Sequence, residues 1–196
     1  MFIDPVPAED ARGLTADIYE SEQEGWGFLP DFVRVFSHHP EAFRAWRGLI
    51  KTVYGSMDRR RCELATLAAA RALKSTCCSM AHGRVLRDRF YTASEVVQIS
   101  LDHHSAGLDD VDVAIMDFAE KAATDPSGTS QEDIDRLKRL GLSDREVFDI
   151  ALAVAARSFF ATLSESLGTR AERPIVDDLE PELRDALVVG RSVDPG

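Results

Sequence analysis

The sequence predicts an all-α protein, and three observations carry that prediction. Apolar residues recur at three- and four-residue spacing almost from end to end, the period of one face of an α-helix. Strict apolar–polar alternation, the mark of a half-buried strand, is absent. Glycine, proline and short hydroxyl or acidic residues fall between the periodic stretches, where helices start and stop.

Taken in order, AEDARGLTADIYESEQ (8–23) is a first helix closed by the turn EGWGFLPD, and DFVRVFSHH (31–39) is a short one. PEAFRAWRGLIKTVYG (40–55) has Pro40 at its first position, Glu41 in its first turn and a stop at Gly55. MDRRRCELATLAAARALK (57–74) is capped by Asp58, and its alanines admit a close neighbour. TCCSMAHGRVLRDRF (76–90) follows, with Ser75 or Thr76 as its cap. Then come ASEVVQISLDHH (93–104), DDVDVAIMDFAEKAAT (109–124), SQEDIDRLKRL (130–140) and SDREVFDIALAVAARSFFATLSESL (143–167), ending before Gly107, DPSG, Gly141 and Gly168. This places one helical domain over 1–170. Residues 171–196 read as an acidic arm with one short helical piece, PELRDALVV, lying on the body or on a partner subunit. ELATLAAAR (63–71) and DIALAVAAR (149–157) echo each other at an offset of 86, which is either a duplicated unit or the chance likeness of alanine-rich helices.

Composition narrows the function. With 34 acidic against 23 basic residues, a net charge of −11, the chain is a poor match for phosphate backbones. No nucleic-acid partner is expected. MFIDPVPAED has acids and prolines where an export signal needs a basic start and an apolar run. The longest apolar run, IALAVAA (150–156), falls short of the ~20 residues that span a bilayer. A cytoplasmic protein without a membrane partner is the expectation. There Cys62, Cys77 and Cys78 would rest as thiols, and three cysteines make no disulfide framework.

The stretch STCCSMAH (75–82) concentrates the chemistry. On a helix starting near Ser75, the residues Ser75, Cys78 and His82 share one face. A thiol in the first turn of a helix meets the positive end of the macrodipole, which favours thiolate. An imidazole one turn later can take its proton. Glu63, on the preceding helix, would orient that imidazole and complete a proton relay.

ELATLAAARALKSTCCSMAH (63–82) resembles the signature of the alkylhydroperoxidase D-like proteins of the carboxymuconolactone decarboxylase family: a helix opening Glu-Leu, a Cys-x-x-Cys pair, then a His four residues on. Glu63, Cys78 and His82 match that family's glutamate, second cysteine and histidine. GFLPDFVRVFSHHPEAFRAW (27–46) and the segments around 115–127 and 141–156 are similar to the peroxidase-related branch. The resemblance implies helices packed into trimers or hexamers. It also implies a thiol peroxidase acting on small hydroperoxides, with Cys78 as nucleophile, His82 and Glu63 as relay, and no metal or organic cofactor.

The sequence departs from the family where the first cysteine belongs, because Ser75 stands there. A hydroxyl cannot resolve a sulfenic acid into a disulfide. Ser75 is instead expected to cap the helix by accepting from the Cys78 N–H. Resolution then falls to an external thiol, to Cys77 or to Cys62. A Cys77–Cys78 bond would span α-carbons ~3.8 Å apart, below the usual window of ~4.4–6.8 Å. Ala161 and Thr162 also replace the branch's usual Asn-Arg pair before Leu163.

Each residue also has a plainer role. Buried cysteines serve as small hydrophobes, and Glu63 can answer the macrodipole or pair with Arg59 or Arg60. His103 and His104 suit a helix C-terminus, and His38 and His39 a helix start. Zinc held by Cys77, Cys78 and His82, with His103 or His104, lacks the usual cysteine spacing. The run Arg59–Arg61 with Arg84, Arg87 and Arg89 reads as subunit salt bridges, and Trp26, Trp46, Phe28, Phe32, Phe36 and Phe43 as core or interface. Two other functions stay open: a scaffold that binds a partner or small molecule, and an acid–base enzyme using His82 and Glu63 on a small carboxylate.

Overall fold

The computed structural model describes residues 1–193, which form eleven α-helices and no strand. The helices are α1 (Leu14–Trp26), α2 (Asp31–Arg34), α3 (Pro40–Ser56), α4 (Arg59–Ala72), α5 (Thr76–Arg89) and α6 (Ala93–Leu101). They continue with α7 (Asp110–Thr124), α8 (Gln131–Arg139), α9 (Asp144–Ser166), α10 (Arg173–Asp178) and α11 (Pro181–Leu187).

The hub is α4. Its residues from Cys62 to Ala70 are all buried, and α5, α7 and α9 pack around it. Leu64 and Leu67 fill the space towards these neighbours. The intervening Ala65, Ala68, Ala69 and Ala70 are wholly buried, and small side chains let several backbones approach one helix. Helix α3 packs on α9. There an aromatic cluster of Phe36, Phe43, Trp46 and Phe160 closes a second core that includes Cys78.

The caps read from the sequence form in part. Asp58 accepts the Arg61 N–H at 2.9 Å, and Thr92/Glu95 and Ser143/Glu146 make reciprocal capping boxes. The first helix starts later than the periodicity suggests, after Gly13 at φ 54°, a conformation that favours glycine. Beyond residue 170 there are two short helices rather than one. Ile175, Leu183 and Leu187 join the main core beside α5 and α6. Gly83 of α5 marks this contact, since a Cβ there would lie 2.6 Å from the Leu187 side chain.

Helix α9 alters one expectation. By length and composition it could cross a membrane, because the apolar run extends on both sides of IALAVAA. It also carries buried Asp149 and Arg157 and packs on α3, α4, α7 and α8, the behaviour of a core helix. The basic residues expected at subunit contacts are mostly spent inside the chain. Arg60 and Arg61 grip Asp112 of α7 at 2.6 and 3.1 Å, and Arg84 and Arg87 hold Asp178 at 2.9 and 2.6 Å.

Candidate functional site

The packing of α5 on α4 brings Glu63 and His82 together. Glu63 is completely buried and His82 nearly so, and His82 Nδ1 lies 2.5 Å from Glu63 Oε2. Burial by itself would raise the Glu63 carboxyl; the attraction and hydrogen bond of His82, with Arg59 and Arg157 behind them, outweigh it and leave it below the usual carboxylate range. For His82, burial and then Arg157 lower the imidazole, and Glu63 only partly offsets them. The pair therefore rests as a carboxylate beside a neutral ring. A carboxylate can only accept, so Nδ1 carries the proton and Nε2 keeps its lone pair as a base.

Arg59 completes the acid's surroundings. It approaches Glu63 Oε1 to 2.7 Å from one turn earlier on α4, an ion pair by distance without hydrogen-bond alignment. Its guanidinium lies 3.6 Å above the Tyr54 ring. Tyr54 is pushed above the usual phenol range by burial and then by Glu63, so it stays a proton-bearing phenol.

Cys78 sits one helical turn before His82 with 2% of its surface exposed. Its sulfur meets Arg157 Nη1 of α9 at 3.4 Å. Arg157 is itself buried and lies 6.0 and 5.4 Å from the Trp46 and Phe160 rings. A guanidinium there stabilises negative charge on the sulfur. Sequence reasoning missed this residue. Its signal was a lone cation in the apolar run IALAVAARSFF, where an exposed arginine is the less expected reading.

The other candidates take different places. Cys77 is buried, and burial followed by repulsion from Cys78 holds its thiol well above the usual range. Burial likewise pushes Cys62 up to about 11. All three cysteines are free thiols, and both candidate resolvers sit where thiolate is disfavoured. Ser75 stands at the N-cap, but its side chain does not cap as expected. Its hydroxyl instead donates to Glu165 Oε1 of α9 at 2.8 Å. The zinc set drawn from the thiols and His103 or His104 is not the one that forms. Among the described residues, His103 and His104 instead gather at Asp117 of α7, 2.8 and 3.0 Å away, in the turn after α6 rather than on its last turn.

No protein-family model and no curated protein matches the chain. Solved structures do. A peroxidase-related protein with an alkylhydroperoxidase AhpD core from Ralstonia eutropha JMP134 is 22% identical, with a TM-score of 0.75 over 88% of this chain and 96% of its own. A peroxidase-related protein from Silicibacter sp. TM1040 is 19% identical, with a TM-score of 0.74 over 89% and 91%. The debrominase Bmp8 is 17% identical, with a TM-score of 0.77 over 95% and 98%. A cysteine-to-alanine form of that debrominase, in complex with 2,3,4-tribromopyrrole, is 19% identical, with a TM-score of 0.75 over 92% and 98%. The chain accordingly has the all-α alkylhydroperoxidase D-like fold of the carboxymuconolactone decarboxylase type.

Proposed function

We propose that this chain is a one-cysteine thiol enzyme that reduces organic hydroperoxides at Cys78, with His82 and Glu63 as its proton relay. The observation that carries the reading is a pair of buried contacts, Glu63 with His82 at 2.5 Å and Cys78 with Arg157 at 3.4 Å, held together by α5, on which Cys78 and His82 stand one turn apart. The Cys78 proton passes to His82 Nε2. The thiolate attacks the terminal peroxide oxygen, an S–O bond forms, the O–O bond breaks, and sulfur is oxidised by two electrons to sulfenic acid. The departing alkoxide recovers the proton from His82, and Glu63 stabilises the imidazolium in between. One external thiol then forms a mixed disulfide with loss of water, and a second releases Cys78. An external reductant is required because Ser75 is not a thiol and Cys77 and Cys62 are buried with raised pKa values.

Peroxidase-related proteins and a debrominase share the fold, so the residues, rather than the fold, choose the acceptor. A second reading, acid–base chemistry on a carboxylate, is favoured by the arginine beside His82 and needs no sulfur. Self-association fits as well. Leu49 on α3 and Phe159 on α9 are exposed, and they line a groove of about 490 Å³ that a second copy would cover.

The test is intact mass after brief organic hydroperoxide treatment, with and without a sulfenic-acid trap. A trapped adduct in the wild type that is absent in Cys78→Ala is the expected result. No mass change under conditions that oxidise a reactive thiol would remove the peroxidase reading, and a loss of two hydrogens would assign the resolving role to Cys77 or Cys62.

A further inference from the structure

Arg157 has more binding capacity than its surroundings use. It is 5% exposed, its Nε is buried without a hydrogen-bond partner, and no carboxylate stands at ion-pair distance among the described residues. Trp46 and Phe160 lie over the guanidinium, at 6.0 and 5.4 Å. Ring contacts of that kind leave the in-plane N–H donors open. Arg59 and Arg157 also both act on one carboxylate, Glu63, which already pairs with Arg59 and with a His82 held neutral. In a chain of net charge −11 a buried surplus of positive charge is out of character. A buried cation without a counter-ion is costly unless a partner arrives.

We propose that Arg157 is a substrate-binding residue and that the acceptor reacting at Cys78 carries a carboxylate. The planar fork of a guanidinium matches a carboxylate in a way that it does not match a neutral hydroperoxide. Nη1 already reaches the sulfur, so an anion held on the same guanidinium lies beside the nucleophile. The rings of Trp46 and Phe160 supply an apolar wall for the rest of the molecule. The inference rests on the reading of Cys78 as nucleophile. In the peroxidase form of that reading, the substrate is the hydroperoxide of an organic acid.

The experiment pairs cumene hydroperoxide with its para-carboxylate. Wild type is expected to turn over the carboxylate with a kcat/KM about tenfold or more higher, because a site built to pair a polar group penalises the analogue that lacks it. Arg157→Gln also removes the cation beside the sulfur, so it should slow both compounds, but the carboxylate should lose about tenfold more than the neutral compound and the preference should vanish. Equal losses on both compounds would overturn the proposal and leave Arg157 serving the sulfur alone, and so would equal wild-type rates, which depend on no variant. A second readout needs no turnover. The chain has two tryptophans, so in a Trp26→Phe background benzoate should change Trp46 fluorescence saturably, and Arg157→Gln should abolish the change. A chain that binds benzoate but reduces neither hydroperoxide would keep the anion site and sink the peroxidase reading. A chain that reduces both compounds equally and ignores benzoate would do the reverse.

Discussion

The starts of α4 and α9 carry the same local device and put it to different use. Each has an arginine one turn before a buried acid: Arg59 with Glu63 at 2.7 Å, and Arg145 with Asp149 at 3.0 Å. In α9 one arginine N–H is shared between the two carboxylate oxygens, at 3.2 and 3.0 Å, so the acid is held by its own helix. In α4 the acid is divided, with one oxygen facing Arg59 and the other His82 of the next helix. The position that echoes His82 is Gly168, a left-handed residue with φ 75° that ends α9. The later arginines differ in the same way. Arg71 donates to the Ala186 carbonyl at 2.7 Å and serves structure, whereas Arg157 meets the Cys78 sulfur. A short charge pair is cheap to place on a helix. What makes it chemical is the third group that tertiary packing sets beside it.

The largest expected effect would separate the two acids by reactivity. Glu63→Gln should slow oxidation of Cys78 by about 10²-fold, the usual scale of a lost acid–base partner, and Asp149→Asn should change it less than about threefold. Stopped-flow oxidation with a fixed hydroperoxide measures both. Equal slowing in the two variants would erase the distinction.

Next comes the contrast between the two glycines. Gly83→Ala pushes a methyl to 2.6 Å from the Leu187 side chain and should cost about 1–3 kcal/mol by overpacking. Gly168→Ala strains a residue at φ 75° and crowds the Phe2 ring at 2.9 Å, for about 1 kcal/mol. Urea unfolding gives both values. A neutral Gly83→Ala would show that α11 is loosely seated over the site helix.

The pH dependence sharpens the comparison further. His82 is lowered in the fold by burial and by Arg157, so on acidification through its ordinary value of 6.5 the unfolded chain takes the proton first. Stability is then present at neutral pH and lost as pH falls through the folded value, and Glu63, also lowered, adds a loss at lower pH. Between pH 7 and 5 the wild type should lose about 1 kcal/mol more than His82→Gln. The acid limb of the Cys78 rate should lie below 6.5 for the same cause. A limb above that value would contradict a neutral resting imidazole.

The smallest effect has the opposite sign. Burial, then the nearby Asp31, raises Glu172 to about 7 where it accepts backbone N–H groups at the start of α2. A raised carboxyl pKa means the folded state keeps its proton longer, so this contribution to stability falls as pH climbs from 4.5 towards 7. Glu172→Gln, which keeps an acceptor, should gain about 1 kcal/mol above pH 7 and nothing below 4.5. Thermal melts at the two pH values test it.

Most of the fold was legible because helical period, caps and glycine stops act locally. Asp58, Ser143 and Gly168 each mark a boundary through their own backbone chemistry. The boundary errors fall where local signals compete. The 8–23 pattern crosses Gly13, and α2 passes at once into the tight helical turn Val35–His38. Cys78 and His82 share a face because one helix carries both, and Glu63 could be matched to them by the family's spacing. Arg157 could not. It lies 79 residues from Cys78, and nothing local marks which side of α9 faces the thiol. The role of Ser75 was misread for a similar reason, since the sequence shows a good cap but not the Glu165 that bids for the same hydroxyl.

By itself, then, the sequence determined that the chain is helical, that a thiol and an imidazole stand one turn apart, and that a serine stands three residues before that thiol. These follow from interactions within a few residues, which depend little on the rest of the chain. Tertiary structure alone decided that Glu63 is shared while Asp149 is not, that Cys77 is a sealed thiol, and that a cation without a counter-ion meets Cys78. Burial and long-range charge set those outcomes, and both are properties of helix packing rather than of any one segment.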